Sequence, residues 1–212
     1  MLLDAWLRCE PPLPLHELER RSGASYPAVA ATLRRLDAVG ELERTTSRSA
    51  GFTTAPRKTL AEVLALGEQL RETHRFIDSS GGAPNTADLV RRIAAKAGAT
   101  VALGGVEGAR HYVRAFDLNG LPRVDVTVLA QDELAWVKKV DPALVEAPLS
   151  AGGPSPALVV HKLRRPEPRF VQSNKQHVFA DPAEVLLDLH ELRLIEQADD
   201  FISTMRAGGP RP

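Results

Sequence analysis

Two groups of residues have the types and spacing to do chemistry in this 212-residue chain. The first is basic: Arg20, Arg21, Arg34, Arg35, Arg44, Arg48, Arg57 and Lys58 face only Asp37, Glu41 and Glu43 between positions 20 and 58, eight cations against three acids. The chain as a whole has 27 Lys+Arg and 27 Asp+Glu, so this excess is local. A local cationic surface binds polyanions by releasing their counterions. The second is Gly104-Gly105-Val106-Glu107-Gly108, which follows the apolar run Val101-Ala102-Leu103. Glycines at a helix start let backbone N–H groups approach an anion. Asp125 follows in the alternating segment Val124-Asp125-Val126-Thr127-Val128.

The glycine spacing is neither G-x-G-x-x-G nor a Walker loop, which needs a lysine and a hydroxyl that are absent here. His111, His161 and His177 lack an i, i+4 partner or a carboxylate pattern, so they read as surface or core histidines. Cys9 is the single cysteine, which excludes an internal disulfide and every multi-cysteine metal motif. No Gly-x-Ser-x-Gly elbow occurs. The expectation is a protein with no catalytic nucleophile, metal or cofactor.

The elements that must position these residues follow from periodicity. At 43% hydrophobic and 25% charged the composition is globular, and no apolar run approaches the ~20 residues that span a bilayer. The first residues, Met1 to Arg8, carry Asp4 and lack a basic leader, so they read as mature protein in a cytoplasmic chain without a membrane partner. Residues 1–56 read as three short helices and a hairpin. Leu15 and Leu18 lie on a helix ended by Gly23. Ser25 is placed to cap the next helix, with Pro27 in its first turn. Val29, Leu33, Leu36 and Val39 form its inward stripe before Gly40. Leu42 alternating with Glu41 and Glu43, the turn at 47–51 and Phe52 suggest a hairpin. That order is similar to a winged helix-turn-helix. Arg34, Arg35, Pro27 and Ala38 then point outward, with Ser25, Tyr26 and Thr32 on the flanks. The expected DNA contacts are Ser25, Tyr26, Thr32, Arg34 and Arg35 on the helix and Arg44 and Arg48 on the wing. Ala28, Ala30 and Ala31 leave little to read base edges, so phosphate and shape readout would dominate. The same fold could instead contact protein, with the arginines on a solvated face.

Residues 57–85 read as a linker whose amphipathic segment from Arg57 to Ile77 is either a linker helix or the first element of the second domain, and residues 86–212 as a mixed α/β domain. Thr86 to Ala97 and Val106 to Val113 are expected helices; Leu121 to Leu129, Ala157 to Leu163 and Phe170 to Phe179 are expected strands. A final helix starts at Asp181-Pro182 and runs to Met205, its acids and Arg193 outward. The basic stretch Lys162, Arg164, Arg165 and Arg169 reads as an exposed hairpin turn around Arg165-Pro166-Glu167-Pro168, the alternatives being an extension of the DNA footprint or a partner surface. The fold class is α+β: a winged helix-turn-helix followed by a mixed α/β domain.

The strand, Gly104-Gly105, helix and Asp125 strand are similar to nucleotidyltransferases, but Thr127 stands where a second metal-holding carboxylate would be needed. Asp117 and Asp132 are off the alternation. Both halves together resemble the AbiEi family, antitoxins and transcriptional regulators of bacterial type IV toxin–antitoxin systems. The residues that carry this are the helix and hairpin from Pro14 to Thr54, the junction Ala102-Leu103-Gly104-Gly105, the strand from Asp125 to Leu129 and the segment from Val178 to Leu189. The resemblance implies an autorepressor that binds double-stranded DNA at its own operator and counters a nucleotidyltransferase-type toxin. The alternatives are a nucleotidyltransferase-like enzyme with a winged-helix accessory domain, and a ligand-responsive repressor.

Overall fold

The structure is a computed structural model that describes residues 1–46, 49–52, 54–81, 85–98, 100–114, 116, 123–147, 155–165, 168–173 and 177–208. Its N-terminal part runs α1 (Leu2–Leu7), β1 (Leu13–Pro14), α2 (Leu15–Ser22), α3 (Tyr26–Ala38), β2 (Leu42–Thr46) and β3 (Ser49–Phe52). The strands form an antiparallel sheet in the order β1-β3-β2, with Leu13 opposite Ala50 and Leu42 opposite Phe52. β1 is two residues inside a proline-rich stretch, too short to give a period. Gly23 (φ 64°) and Gly40 (φ 75°) adopt the left-handed backbone that ends α2 and follows α3. Ser25 occupies the N-cap of α3, but its side chain makes no capping bond, contrary to expectation. Val29 and Leu33 are buried with Ala5, Leu13, Leu18 and Ala50, whereas Val39 is 40% exposed, so the inward stripe stops at Leu36.

The expected amphipathic segment splits into α4 (Arg57–Ala65), α5 (Gly67–Leu70) and β4 (Arg71–Asp78). Thr73, Phe76 and Ile77 are strand formers, and pairing on both sides of β4 decides the matter. The larger sheet continues with β5 (Ala102–Leu103), β6 (Val124–Leu129), β7 (Leu144–Ala147), β8 (Leu158–Leu163), β9 (Val171–Ser173) and β10 (His177–Phe179). Its order is β7-β4-β8-β6-β5-β10-β9, with parallel pairs at β6/β8 and β5/β10 and antiparallel pairs elsewhere. The expected strand from Phe170 to Phe179 is thus two antiparallel strands.

Helices cover both faces: α6 (Thr86–Lys96), α7 (Gly105–Tyr112), α8 (Ala135–Val140), α9 (Pro182–Glu191) and α10 (Ile195–Gly208). Asp181 caps α9 by accepting from Glu184 N–H, and Arg193 (φ 60°) breaks the expected single closing helix in two. On one face Val124, Val126 and Val128 of β6 and Leu158 and Val160 of β8 pack with α6 and α8. Strand alternation sends Asp125, Thr127 and His161 to the other face, toward α7 and α9. Leu3, Trp6 and Leu7 of α1 join that second core with Leu186 and Phe201, while Ala5 packs with α2 and α3. One helix therefore contributes to both cores. Among the described residues no helix is long and apolar enough to cross a membrane.

Candidate functional site

Helix α3 is held along one narrow line and exposes the rest. Ser25, Tyr26, Thr32, Arg34 and Arg35 are all exposed, Tyr26 by 56%. The Thr32 hydroxyl donates to the Ala28 carbonyl of its own helix at 3.0 Å. Arg35 lies 3.8 Å from Glu62 of α4 with its side chain 78% exposed, a spacing worth little in water. Arg34 makes no ion pair among the described residues. Arg44 falls on the backbone of β2, and Arg48 lies outside the described residues. Two of the eight cations are already matched: Arg20 and Arg21 donate to Glu17 at 2.8 and 2.5 Å, and these bonds pull the Glu17 carboxyl down to about 2. Glu41 is also spent, capping α4 through Lys58 N–H at 2.6 Å and Thr59 N–H at 2.9 Å.

A second constellation lies between the sheet and α9. Asp181, Glu184, Asp188 and Glu191 recur at spacings of three, four and three, a stripe along one helix face. It turns inward, against expectation, because the facing sheet surface is itself polar. Arg71 of β4 is 4% exposed and donates to Asp188 at 2.5 Å and Glu191 at 3.1 Å, with Glu184 at 3.5 Å. Arg123 donates to Asp125 at 2.5 Å and Glu191 at 3.3 Å. His161 is fully buried; Thr73 meets its Nδ1 at 3.0 Å, and its Nε2 lies 3.3 Å from Asp188. Burial pushes the Asp188 and Glu184 carboxyls up. Burial also opposes charge on Asp125, yet His161 and Arg123 hold its carboxyl below the usual range.

This constellation meets the Gly104-Gly105 junction. Gly105 N–H donates to Asp188 Oδ2 at 2.8 Å, and Gly104 N–H donates to the Asp125 carbonyl at 2.8 Å. A Cβ on Gly105 would fall 2.6 Å from Asp125 Oδ2 at a φ of +50°, and one on Gly104 would overlap Asp188 Oδ2. The glycines admit the chain's own carboxylates, and the amide that could hold a phosphate holds Asp188. Asp125 has no second acid on β6; Asp188 and Glu191 of α9 share its His161 neighbour, and both are engaged by Arg71. Asp132 accepts from Leu129 N–H at 3.1 Å, and Asp117 lies outside the described residues. Among the described residues no group of three His, Cys, Asp or Glu is placed to hold a metal.

The basic stretch after β8 is mostly consumed internally. Arg165 pairs with Asp181 and, at 3.2 Å, with Glu184, and Arg169 pairs with Glu10 at 2.5 Å and Asp4 at 3.5 Å. The expected exposed turn covers Pro166 and Glu167, outside the described residues. His111 is half-buried and stacks on Phe179 with centroids 4.0 Å apart, while Cys9 is exposed just past α1. Burial and the neighbouring Asp181 push the Asp4 carboxyl up to about 6 despite Arg8. A carboxyl raised in the folded state favours folding while protonated and costs stability as pH climbs through its pKa. Asp4→Asn should therefore gain on the native chain by up to about 2 kcal/mol between pH 4 and 7 in urea titrations. A gap that does not widen with pH would contradict this.

Sequence reasoning missed Arg71, Asp188 and Glu191, and it allowed His161 a place in the core without seeing its partners there. The acid stripe was a usable signal, since four carboxylates on one face beside an apolar run suit a polar partner layer as well as solvent. Comparison of the chain with family models, curated proteins and solved structures gives no match.

Proposed function

We propose that this chain is a sequence-specific DNA-binding transcriptional regulator, an autorepressing antitoxin of the type IV kind, cytoplasmic and not an enzyme. Residues 1–56 would act as a winged helix-turn-helix and the α/β part beyond 86 as the antitoxin or effector portion. The observation that supports this reading is α3 itself: packed through Val29 and Leu33, it presents Tyr26, Arg34 and Arg35 to solvent. A helix seated this way enters the major groove with its outer side chains toward bases and phosphates, while the hairpin β2–β3 reaches the flanking backbone. The order of α1 to β3 and the β1-β3-β2 pairing suit that docking. The functional partner of such an antitoxin is a nucleotidyltransferase-type toxin.

Fluorescence anisotropy against the duplex upstream of its own gene and a scrambled duplex tests the reader. Binding should favour the upstream duplex, and log K should fall with log salt by about 0.9 per neutralised phosphate. Arg34→Ala/Arg35→Ala should reduce that slope by about 1–2 and weaken binding at least tenfold. Equal affinity for both duplexes, or none, would transfer α3 to protein recognition. Rescue of growth on co-expression with a neighbouring nucleotidyltransferase-like gene tests the antitoxin role separately.

A further inference from the structure

A cavity of about 380 Å³ lies between α4, β4 and α9. Arg71, Thr73 and Arg75 of β4 form one side, Leu64 of α4 and Leu187 of α9 give apolar walls, and His190 and Glu191 close the end of α9. The size suits a small ligand, and most of the lining residues are polar, with the two leucines as the apolar part. From this cavity, and independently of the DNA reading, we infer that the protein binds a small organic carboxylate here, its charge on Arg75 and Arg71 and its apolar body between Leu64 and Leu187.

The argument for a carboxylate is the group that now sits there. Glu191 accepts from Arg71 at 3.1 Å, Arg123 at 3.3 Å and Arg75 at 3.5 Å, so three guanidiniums converge on one side chain that is still 27% exposed. The three are unequally committed. Arg71 also holds Asp188 and Glu184, and Arg123 also holds Asp125. Arg75 has only the long contact to Glu191 among the described residues, with its side chain 31% exposed. A guanidinium fork with spare donors matches the planar carboxylate geometry. His190 supplies a further polar point: burial lowers its pKa and keeps the ring neutral, and its Nε2 has no hydrogen-bond partner among the described residues. The carboxylates already balance the three arginines, so an incoming anion is accommodated when Glu191 turns out to solvent. Glu191 is thus an internal competitor for its own pocket.

Isothermal titration of the full chain with isovalerate and benzoate, their neutral alcohols, and inorganic and phenyl phosphate tests this. Glu191→Gln removes the competing charge while Arg71 and Arg123 keep buried partners, so it should tighten carboxylate binding about tenfold. Arg75→Gln should weaken it about tenfold in both backgrounds. Circular dichroism melts of both variants establish that they fold. Absence of carboxylate binding in folded Glu191→Gln, equal binding of the alcohols, preference for the phosphates, or indifference to Arg75→Gln would each overturn the assignment.

Discussion

Replacing Arg71 with methionine is expected to remove about 3–5 kcal/mol of unfolding free energy at neutral pH, the usual cost of leaving buried charge without its partner. Methionine keeps much of the volume, so the loss is electrostatic. Arg71 is 4% exposed and lies against Asp188, Glu184 and Glu191, the first of which has no exposed surface. Without it Asp188 keeps, among the described residues, Gly105 N–H and the neighbouring His161, and Glu184 keeps Arg165. Burial already raises both carboxyls, and loss of the guanidinium raises them further. Folding then takes up protons. The deficit is fully present above the folded pKa values and shrinks as acid protonates the pair. Urea denaturation at pH 7 and pH 5 separates the causes: a gap that narrows at pH 5 marks the ion pairs, and a constant gap marks packing alone.

Much of the fold was legible in the sequence because it is written in local signals. Gly23 and Gly40, the Val29–Leu33 stripe, the alternation of Val124, Val126 and Val128, and the Asp181-Pro182 start all act within a few residues. What escaped depends on partners far along the chain. β4 reads as a helical continuation until β7 and β8 pair with it, and the turn of Arg193 into positive φ has no glycine to announce it. The periodicity of the closing helix sends its acids to solvent, since charge there is usually solvated, yet those of α9 are buried. Their burial is stabilised by Arg71 on β4, His161 on β8 and Arg123 just before β6, which no short window contains together. The candidate DNA surface was legible for the converse reason. An exposed helix face is whatever the apolar stripe leaves over, so Val29 and Leu33 locate Arg34 and Arg35 without knowledge of the rest.

The junction at Gly104 and Asp188 gives the sharpest energetic test, because one substitution should cancel part of another. Gly104 has an extended backbone (φ −111°, ψ −155°) that alanine tolerates, so its only reason to be glycine is the carboxylate over it. Gly104→Ala should therefore cost about 1–3 kcal/mol by overpacking. Asp188→Ala should cost about 3 kcal/mol, since Gly105 N–H loses its acceptor and Arg71 its nearest carboxylate. In the double variant the new methyl enters the space that Asp188 vacates, so the combined loss should fall short of the sum by about 1–3 kcal/mol. Gly105→Ala makes the control: its Cβ meets Asp125 rather than Asp188, and its φ of +50° is strained for an L-residue wherever Asp188 stands. Its penalty should persist in the Asp188→Ala background. Strict additivity for Gly104, or equal coupling for both glycines, would mean that the pair is not shaped by the carboxylate it receives. The selective coupling, by contrast, would establish that Asp188 fills the anion seat at the start of α7, and that this seat serves to lock α9 onto the sheet.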